Sequence, residues 1–296
     1  MSGSDRVATE TITTAEGRFT ADVAGPPAGP LVLLLHGFPQ SRHAWRDQLP
    51  ALARAGYRAI APDQRGYSPG VRPDPAAGLA AYAVDRIARD VLDLADAAAP
   101  QRASTFHLVG HDWGGQIAWV VAHRHPERIA SLTVLSRPHP EAFRRAYASD
   151  VDGQQQRSAH HRAFHDPATA GLLLADGARR LRAALAEQGV PEAALAGYLT
   201  VLGEPAALEA ALAWYRAAGT LASVEVGAVA VPTLYVWGDA DRTVGPTAAH
   251  ATRDFVRAPY RFEVLPGVGH FVTDEAPARV NELVLAHLAA NAAGTG

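Results

Sequence analysis

The sequence predicts an α/β fold in which a mostly parallel central sheet is flanked by helices and a helical insertion follows the sixth strand. Three observations carry this expectation. Short apolar strand-like runs alternate with helical periodicity through residue 137. The alternation lapses between residues 138 and 228, where alanine-rich helical patterning continues without a strand, and it resumes at 233–237. The run 31–35 (Leu-Val-Leu-Leu-Leu) is apolar at every position, as a strand covered on both faces must be.

In chain order, residues 9–14 and 18–23 read as two strands joined by Ala15-Glu16-Gly17, a short hairpin. A Gly/Pro loop, 25–30, leads into the strand 31–35, which ends in His36-Gly37-Phe38-Pro39. Trp45, Leu49 and Leu52 recur at helical spacing, and Pro50 is expected to divide that region into two turns. Residues 57–61 form the next strand, followed by the loop Pro62-Asp63-Gln64-Arg65-Gly66-Tyr67. Val84, Ile87, Val91 and Leu94 mark an amphipathic helix, and 106–109 and 129–135 are further strands. Within the insertion, 172–185 and 206–217 read as helices. Beyond it come the strand 233–237, a helix over 248–256, the strand 261–265 and a last helix opened by Pro277. The domain organisation expected is a core of residues 1–137 and 229–296 with a helical cap of 138–228.

Composition narrows the function. The 296 residues are 48% hydrophobic, enough for one sizeable core with an appended subdomain. The 27 basic and 30 acidic residues are interspersed and sum to −3, so no basic stripe points to nucleic acid. The absence of cysteine removes disulfides, thiolate chemistry and thiolate-bound zinc. Residues 1–16 are polar with no signal-peptide pattern, and the longest aliphatic run is far short of the ~20 residues of a membrane span. A cytoplasmic protein with no membrane partner is expected.

The chemistry centres on Gly110-His111-Asp112-Trp113-Gly114, which follows the strand 106–109 and precedes residues 116–122, apolar nearly all round as a buried helix would be. Strand, glycine turn and buried helix are the context of the nucleophile elbow, G-x-S-x-G, but the central residue here is Asp112. A carboxylate is anionic at neutral pH and attacks without a base. On an acyl carbon it would give a mixed anhydride; on an electrophilic sp3 carbon it gives an ordinary alkyl ester. The substrate expected therefore carries a strained ring oxygen or a halide.

Two further loops sit at strand ends in the order nucleophile, acid, histidine. Gly238-Asp239-Ala240-Asp241 follows the strand 233–237, and Pro266-Gly267-Val268-Gly269-His270-Phe271 follows 261–265. His270 is the candidate base that activates water against the ester, and Asp241 orients it. Asp239 competes for the orienting role but directly follows the strand end, where a turn cap is expected. The backbone N–H groups of Phe38 and Trp113 are candidate oxyanion donors. His36 and His111 flank the site as packed, hydrogen-bonded residues. His161 and His165 stand four apart without a third ligand, so no metal is expected.

Taken together these motifs resemble the epoxide hydrolase family of α/β-hydrolase-fold enzymes, and the match covers the whole core. The resemblance implies opening of an epoxide to a vicinal diol through an aspartyl alkyl ester, with no cofactor, an epoxide as the small-molecule partner, and a monomer or homodimer. It also implies two cap tyrosines that hydrogen-bond the ring oxygen. Trp214-Tyr215-Arg216 is similar to the second tyrosine motif, so that role falls to Tyr215. In the segment His160-His161-Arg162-Ala163-Phe164, His160 stands where the first tyrosine is expected; Tyr147 and Tyr198 are other cap residues that could take that role. Haloalkane and haloacid dehalogenases resemble the same elbow. The first needs a second halide donor after His-Gly, where this chain has Phe38, and the second needs arginines after the nucleophile, where it has Trp113 and Gln116. A ligand sensor on a hydrolase scaffold is the non-enzymatic alternative.

Overall fold

Beginning at residue 6, the computed structural model describes residues 6–98, 105–217 and 225–292. Residues 1–5 of the polar N-terminal segment and 218–224 of the helical insertion lie outside the described residues. A hairpin opens the chain: β1 (Ala8–Thr14) pairs antiparallel with β2 (Gly17–Ala24), Thr14 opposite Gly17. Next come β3 (Leu31–Leu35), α1 (Gln48–Arg54), β4 (Arg58–Pro62), α2 (Val84–Ala98), β5 (Phe106–His111), α3 (Trp113–Arg124) and β6 (Ile129–Leu135). Among the described residues six helices precede the next strand: α4 (Pro140–Ser149), α5 (Gln154–Arg157), α6 (His160–Ala163), α7 (Thr169–Ala186), α8 (Glu192–Leu202) and α9 (Pro205–Arg216). The chain then returns through β7 (Thr233–Gly238), α10 (Pro246–Ala251), β8 (Tyr260–Leu265), α11 (Val272–Glu275) and α12 (Pro277–Ala290).

The strands form one sheet in the order β1-β2-β4-β3-β5-β6-β7-β8, parallel from β4 through β8 and antiparallel only where β2 meets β1 and β4. Strand order reverses at β3: one crossover runs outward to β4 and the next passes back to β5. Open parallel sheets bind ligands in the crevice at the carboxyl ends of such strands, and the loops after β3 and β5 meet there. β3 is buried at every position, with Leu33 and Leu35 in the cluster that holds Ile117 and Trp119 of α3, and Val32 and Leu34 in the cluster that holds Leu49 of α1 and Val284 of α12. Both faces are therefore covered, which is why this strand carries no polar residue. α3 is buried from Trp113 through Ala122 beneath the sheet.

Two details differ from the sequence reading. Pro50 does not divide its helix; the break falls earlier, between a 3-10 turn at Arg42–Trp45 and α1, which carries Pro50 as its third residue. A proline is tolerated there because the N–H groups of a first turn have no helical acceptor to lose. The helix read at 172–185 is longer and kinked, since Asp176, Gly177 and Ala178 adopt φ of 54°, 68° and 62°. Glycine and aspartate visit this region more readily than most residues, so the helical periodicity runs through a segment whose backbone turns. Among the described residues no helix is long and apolar enough to cross a membrane.

Burial leaves several histidines neutral. Desolvation pushes His107, His111 and His139 down to about 4 from the ordinary 6.5. An unfolded chain accepts these protons near pH 6.5 while the folded chain refuses them until about 4, so acid in that window favours unfolding. Their contribution is complete above about pH 6.5 and is lost as pH falls towards 4. Thermal unfolding followed between pH 7 and pH 4 should show a falling Tm, with a shallower fall in His139→Phe; a Tm independent of pH across this range would contradict the assignment.

Candidate active site

Asp112 stands at the N-cap of α3 with φ 48° and ψ −116°, a backbone conformation that costs a non-glycine residue on the order of 1–3 kcal/mol. Flanking glycines permit it. A Cβ on Gly114 would stand 2.1 Å from the Leu35 carbonyl oxygen, so α3 could not start this close to β3 with any larger residue. Gly37 is bound in the same way: its Cβ would fall 2.4 Å from that of Asp112. Two strand ends thus meet through hydrogens alone, and the carboxylate is lifted against the loop after β3.

That contact fixes one oxygen. The Phe38 N–H donates to Asp112 Oδ1 at 3.0 Å, while Asp112 Oδ2 faces His270 Nε2 at 3.6 Å. The Trp113 N–H, at the first position of α3, has no hydrogen-bond acceptor among the described residues. His270 Nδ1 donates to Asp241 Oδ2 at 2.8 Å, and the Thr243 and Val244 N–H groups donate to Asp241 Oδ1 at 2.6 and 3.0 Å. Asp239 lies elsewhere: its Oδ1 accepts from the Gly267 N–H at 2.6 Å and ties together the loops after β7 and β8. All three members of the Asp112, His270 and Asp241 group are buried.

Charge in this row is self-compensating. Burial disfavours the Asp112 carboxylate, but the hydrogen bond and charge of His270, with the charge of Arg137, outweigh it and hold the group far below the usual carboxylate range. Burial likewise disfavours a charged His270, yet Asp241 and Asp112 raise the ring well above its ordinary value. The resting state is therefore carboxylate, imidazolium, carboxylate. His36 and His111 do not titrate near neutrality, since burial lowers both. His36 Nδ1 donates to the Gly37 carbonyl and Nε2 accepts from the Gln64 N–H, which braces the loop after β3. His111 sits between Gln40 Oε1 at 2.8 Å and the His270 carbonyl at 2.9 Å.

The helical insertion brings Tyr215 to this cluster. At the end of α9, its ring meets Trp113 at 5.1 Å, Phe38 at 5.3 Å, Phe164 at 4.7 Å, His161 at 5.2 Å and His160 at 6.3 Å, all edge-on. Burial and the charges of Asp112 and Tyr67 keep its hydroxyl protonated, with the Trp113 side chain acting weakly the other way. His160 is half-buried on α6; burial lowers it, against the pull of the Asp112 charge, so the ring is neutral near pH 7. The Tyr198 hydroxyl is committed to Asp274 at 2.7 Å, and Tyr147 is 45% exposed in the wall of a cavity beside Trp113.

Sequence reasoning missed two features. One is the buried carboxylate of Asp274, which accepts from Tyr198 of α8, from Arg46 at 2.7 Å and from Gln40 at 3.0 Å. Gln40 also meets His111, whose ring lies between Gln40 and the backbone of His270, so the insertion is linked through packed polar groups to the catalytic row. Only the apolar surroundings of Asp274 between Val272 and Pro277 hinted at it. The other is Arg137, directly after β6, whose charge is felt by Asp112. A cavity of about 1190 Å³ adjoins the cluster at Trp113 and is also lined by Gln116, Arg137, Phe143, Tyr147 and His161. Asp112 and His270 are not in its wall, so Trp113 is where cavity and carboxylate meet.

Because Asp274 is buried with three donors, removing it should leave them unpaired. Asp274→Ala should cost on the order of 2–3 kcal/mol in urea unfolding, and Tyr198→Phe about 1 kcal/mol. The two losses should not add in the double variant, because both remove one interaction. Full additivity would show that the two groups are not coupled.

Comparisons with known proteins fit this geometry. Residues 30–277 match the family model described as alpha/beta hydrolase fold. Epoxide hydrolase A of Mycobacterium tuberculosis is 32% identical, over 90% of this chain and 92% of that protein. Epoxide hydrolase 3 of Xenopus tropicalis is 30% identical, over 90% of this chain and 73% of that protein. The solved structure of epoxide hydrolase A from Mycobacterium thermoresistibile superposes with a TM-score of 0.78 at 27% identity, covering 96% of this chain and 98% of that one.

Proposed function

This chain belongs to the α/β-hydrolase fold family and, within it, to the epoxide hydrolases, and we propose that it opens an epoxide to a vicinal diol through a covalent ester on Asp112. The observation that carries this reading is a strained, buried elbow carboxylate with one oxygen on the Phe38 N–H and the other facing an imidazole, with a buried tyrosine near enough to feel its charge. Residues 138–228 are taken as a cap over a core of 1–137 and 229–296, with Tyr215 its contribution to chemistry. The accompanying reading is a cofactor-independent cytoplasmic enzyme acting on a small molecule, as a monomer or homodimer.

In the first step Asp112 Oδ2 attacks a ring carbon, the carbon–oxygen bond breaks, and the electron pair passes to the ring oxygen. Tyr215 donates its hydroxyl proton to that oxygen, with His160 as the second donor in place of the customary tyrosine. In the second step a water attacks Asp112 Cγ and gives its proton to His270 Nε2. Charge develops on Oδ1, where the Phe38 N–H already lies and the unengaged Trp113 N–H can reach. Collapse breaks the bond between Cγ and the alkyl oxygen, which takes the remaining proton of the attacking water as the Asp112 carboxylate re-forms, and the diol is released. The proton that His270 sheds after alkylation returns through solvent to the Tyr215 oxygen. An imidazolium cannot take a proton from the attacking water, but alkylation removes the Asp112 charge, one of the two anions that raise His270. The ring becomes a base only after the ester has formed, which orders the two steps.

A dehalogenase shares this first step but needs donors for the departing halide. Phe38 offers no side-chain donor, and the Trp113 ring is packed edge-on against Tyr215. A hydroxyl donor beside the carboxylate suits an oxygen that stays on the substrate.

Four outcomes are expected when diol formation is assayed over aryl and alkyl epoxides. Asp112→Asn should lose at least about 10³-fold in kcat/KM, since the amide is a poor nucleophile; undiminished turnover in a preparation free of deamidation would sink the proposal. His270→Gln should still alkylate in a single turnover and then stall, visible as added mass on the Asp112 peptide; loss of alkylation as well would remove His270 from the second step. In the wild type, ester hydrolysis should speed up as pH rises and the ring deprotonates, while alkylation, which uses an anion far below its ordinary pKa, should be level from pH 6 to 8. Tyr215→Phe should slow alkylation about 10²-fold or more and spare hydrolysis of the ester.

A further inference from the structure

Arg137 leaves β6 one residue after Ser136 and enters the rim of the site with no acidic partner among the described residues. Its Nε and Nη2 both donate to a neutral acceptor, Gln116 Oε1, at 3.0 and 2.9 Å. The guanidinium carbon stands 4.5 Å from the centre of the Phe143 ring and 5.9 Å from that of Trp113, so the cation lies over both rings. The acids of the adjoining cavity do not neutralise it. Glu141 is bound to Arg144 and Arg145 at 2.6 and 3.0 Å, and neither Glu225 nor Asp254 forms an ion pair with Arg137.

This is an unusual state for a half-buried cation. A charge removed from water is costly unless an opposite charge meets it; Arg42, Arg46 and Arg65 each reach a carboxylate, while Arg157 donates to the Asp152 and Asp241 carbonyls. Gln116 occupies two of the five N–H groups of Arg137, on Nε and Nη2, which leaves both Nη1 N–H groups and the second of Nη2 with no hydrogen-bond acceptor among the described residues. Together Nη1 and Nη2 form the edge a carboxylate engages with two parallel hydrogen bonds. The two rings and Gln116 fix the orientation of the fork before any ligand arrives. Arg137 also lies in the wall of the 1190 Å³ cavity that adjoins Trp113, the residue after Asp112.

We propose that the cavity receives the non-reacting end of the substrate and that Arg137 binds a carboxylate there, so that the preferred substrate is an epoxide bearing a carboxylate away from the ring, by about the breadth of the Trp113 indole. This rests on the epoxide hydrolase reading of the site and adds the class of substrate. Arg137 acts in binding; the epoxide end is left to Asp112 and Tyr215. An α-substituted acid does not fit, because its carboxylate would sit on the reacting carbon while the fork lies beyond the indole.

The test compares a series of terminal epoxides of stepwise chain length ending in a carboxylate with the matching primary amides. At the best length the wild type should favour the acid by about tenfold or more in kcat/KM, chiefly through KM, as one charged hydrogen-bonded contact supplies. In Arg137→Gln that ratio should fall about tenfold, and Arg137→Lys, which keeps the charge and loses the fork, should fall between. A ratio cancels any loss of folded enzyme, and thermal unfolding of each variant confirms the fold. Binding of the unreactive dihydroxy acid, measured by calorimetry against the dihydroxy amide, supplies a readout independent of turnover and should weaken about tenfold in Arg137→Gln. If the amides are hydrolysed as well as the acids at every length, and the ratio is the same in Arg137→Gln, the carboxylate assignment is overturned while epoxide hydrolysis stands. If neither series yields diol, the epoxide reading fails. The binding measurement then decides Arg137 by itself, since equal affinity for acid and amide in the wild type would refute it.

Discussion

A buried carboxylate on a left-handed turn is the constraint from which the rest of this molecule follows. Asp112 must lie at the end of β5, must tolerate a positive φ, and must keep its charge without water. The first demand is met by the crossing of chain at β3, the second by glycines that allow backbones to meet, and the third by His270 and the Phe38 N–H. Each of these sits on a different strand end, so the parallel sheet acts as the frame that brings three loops to one point. In the proposed mechanism the electrostatics make the chemistry sequential: an imidazolium stabilises the anion that attacks, and loss of that anion frees the ring to act as a base.

The helices between β6 and β7 are tied to this frame in two ways. Packing brings Tyr215 against Trp113 and Phe38 through edge-on aromatic contacts, which hold a hydroxyl in an apolar setting where it stays protonated. Hydrogen bonding ties Tyr198 to Asp274, and Gln40 and His111 link that pair to the backbone of His270 through packed polar groups. A buried polar network of this kind is costly when half satisfied and specific when complete. It gives the insertion one position relative to His270, and Tyr215 is positioned along with it.

Much of this was legible in the sequence because the local signals and the global fold agree. The apolar run at β3, the glycines around Asp112 and the loops after β7 and β8 each carry a local pattern that only one architecture uses together. The choice between Asp239 and Asp241 was readable from distance to the strand end, and the geometry separates them as turn tie and imidazole partner. What escaped depended on contacts between residues far apart in the chain. Nothing near Asp274 announces that Tyr198 and Arg46 will reach it, and Arg137 gives no hint that its only side-chain acceptor is a glutamine on α3. The kink at Asp176 was hidden for a different reason, since helical periodicity records which face is apolar and not whether the backbone turns between two helices.

The central claim, that oxygen reaches the product from Asp112 and not directly from water, is open to one measurement. With enzyme in excess over a terminal epoxide in ¹⁸O-water, a single turnover should give a diol free of label and place ¹⁸O in the carboxylate of the peptide that contains Asp112. Label in the diol of that first turnover, with none in the Asp112 peptide, would mean that water attacks the ring itself and would contradict the covalent account.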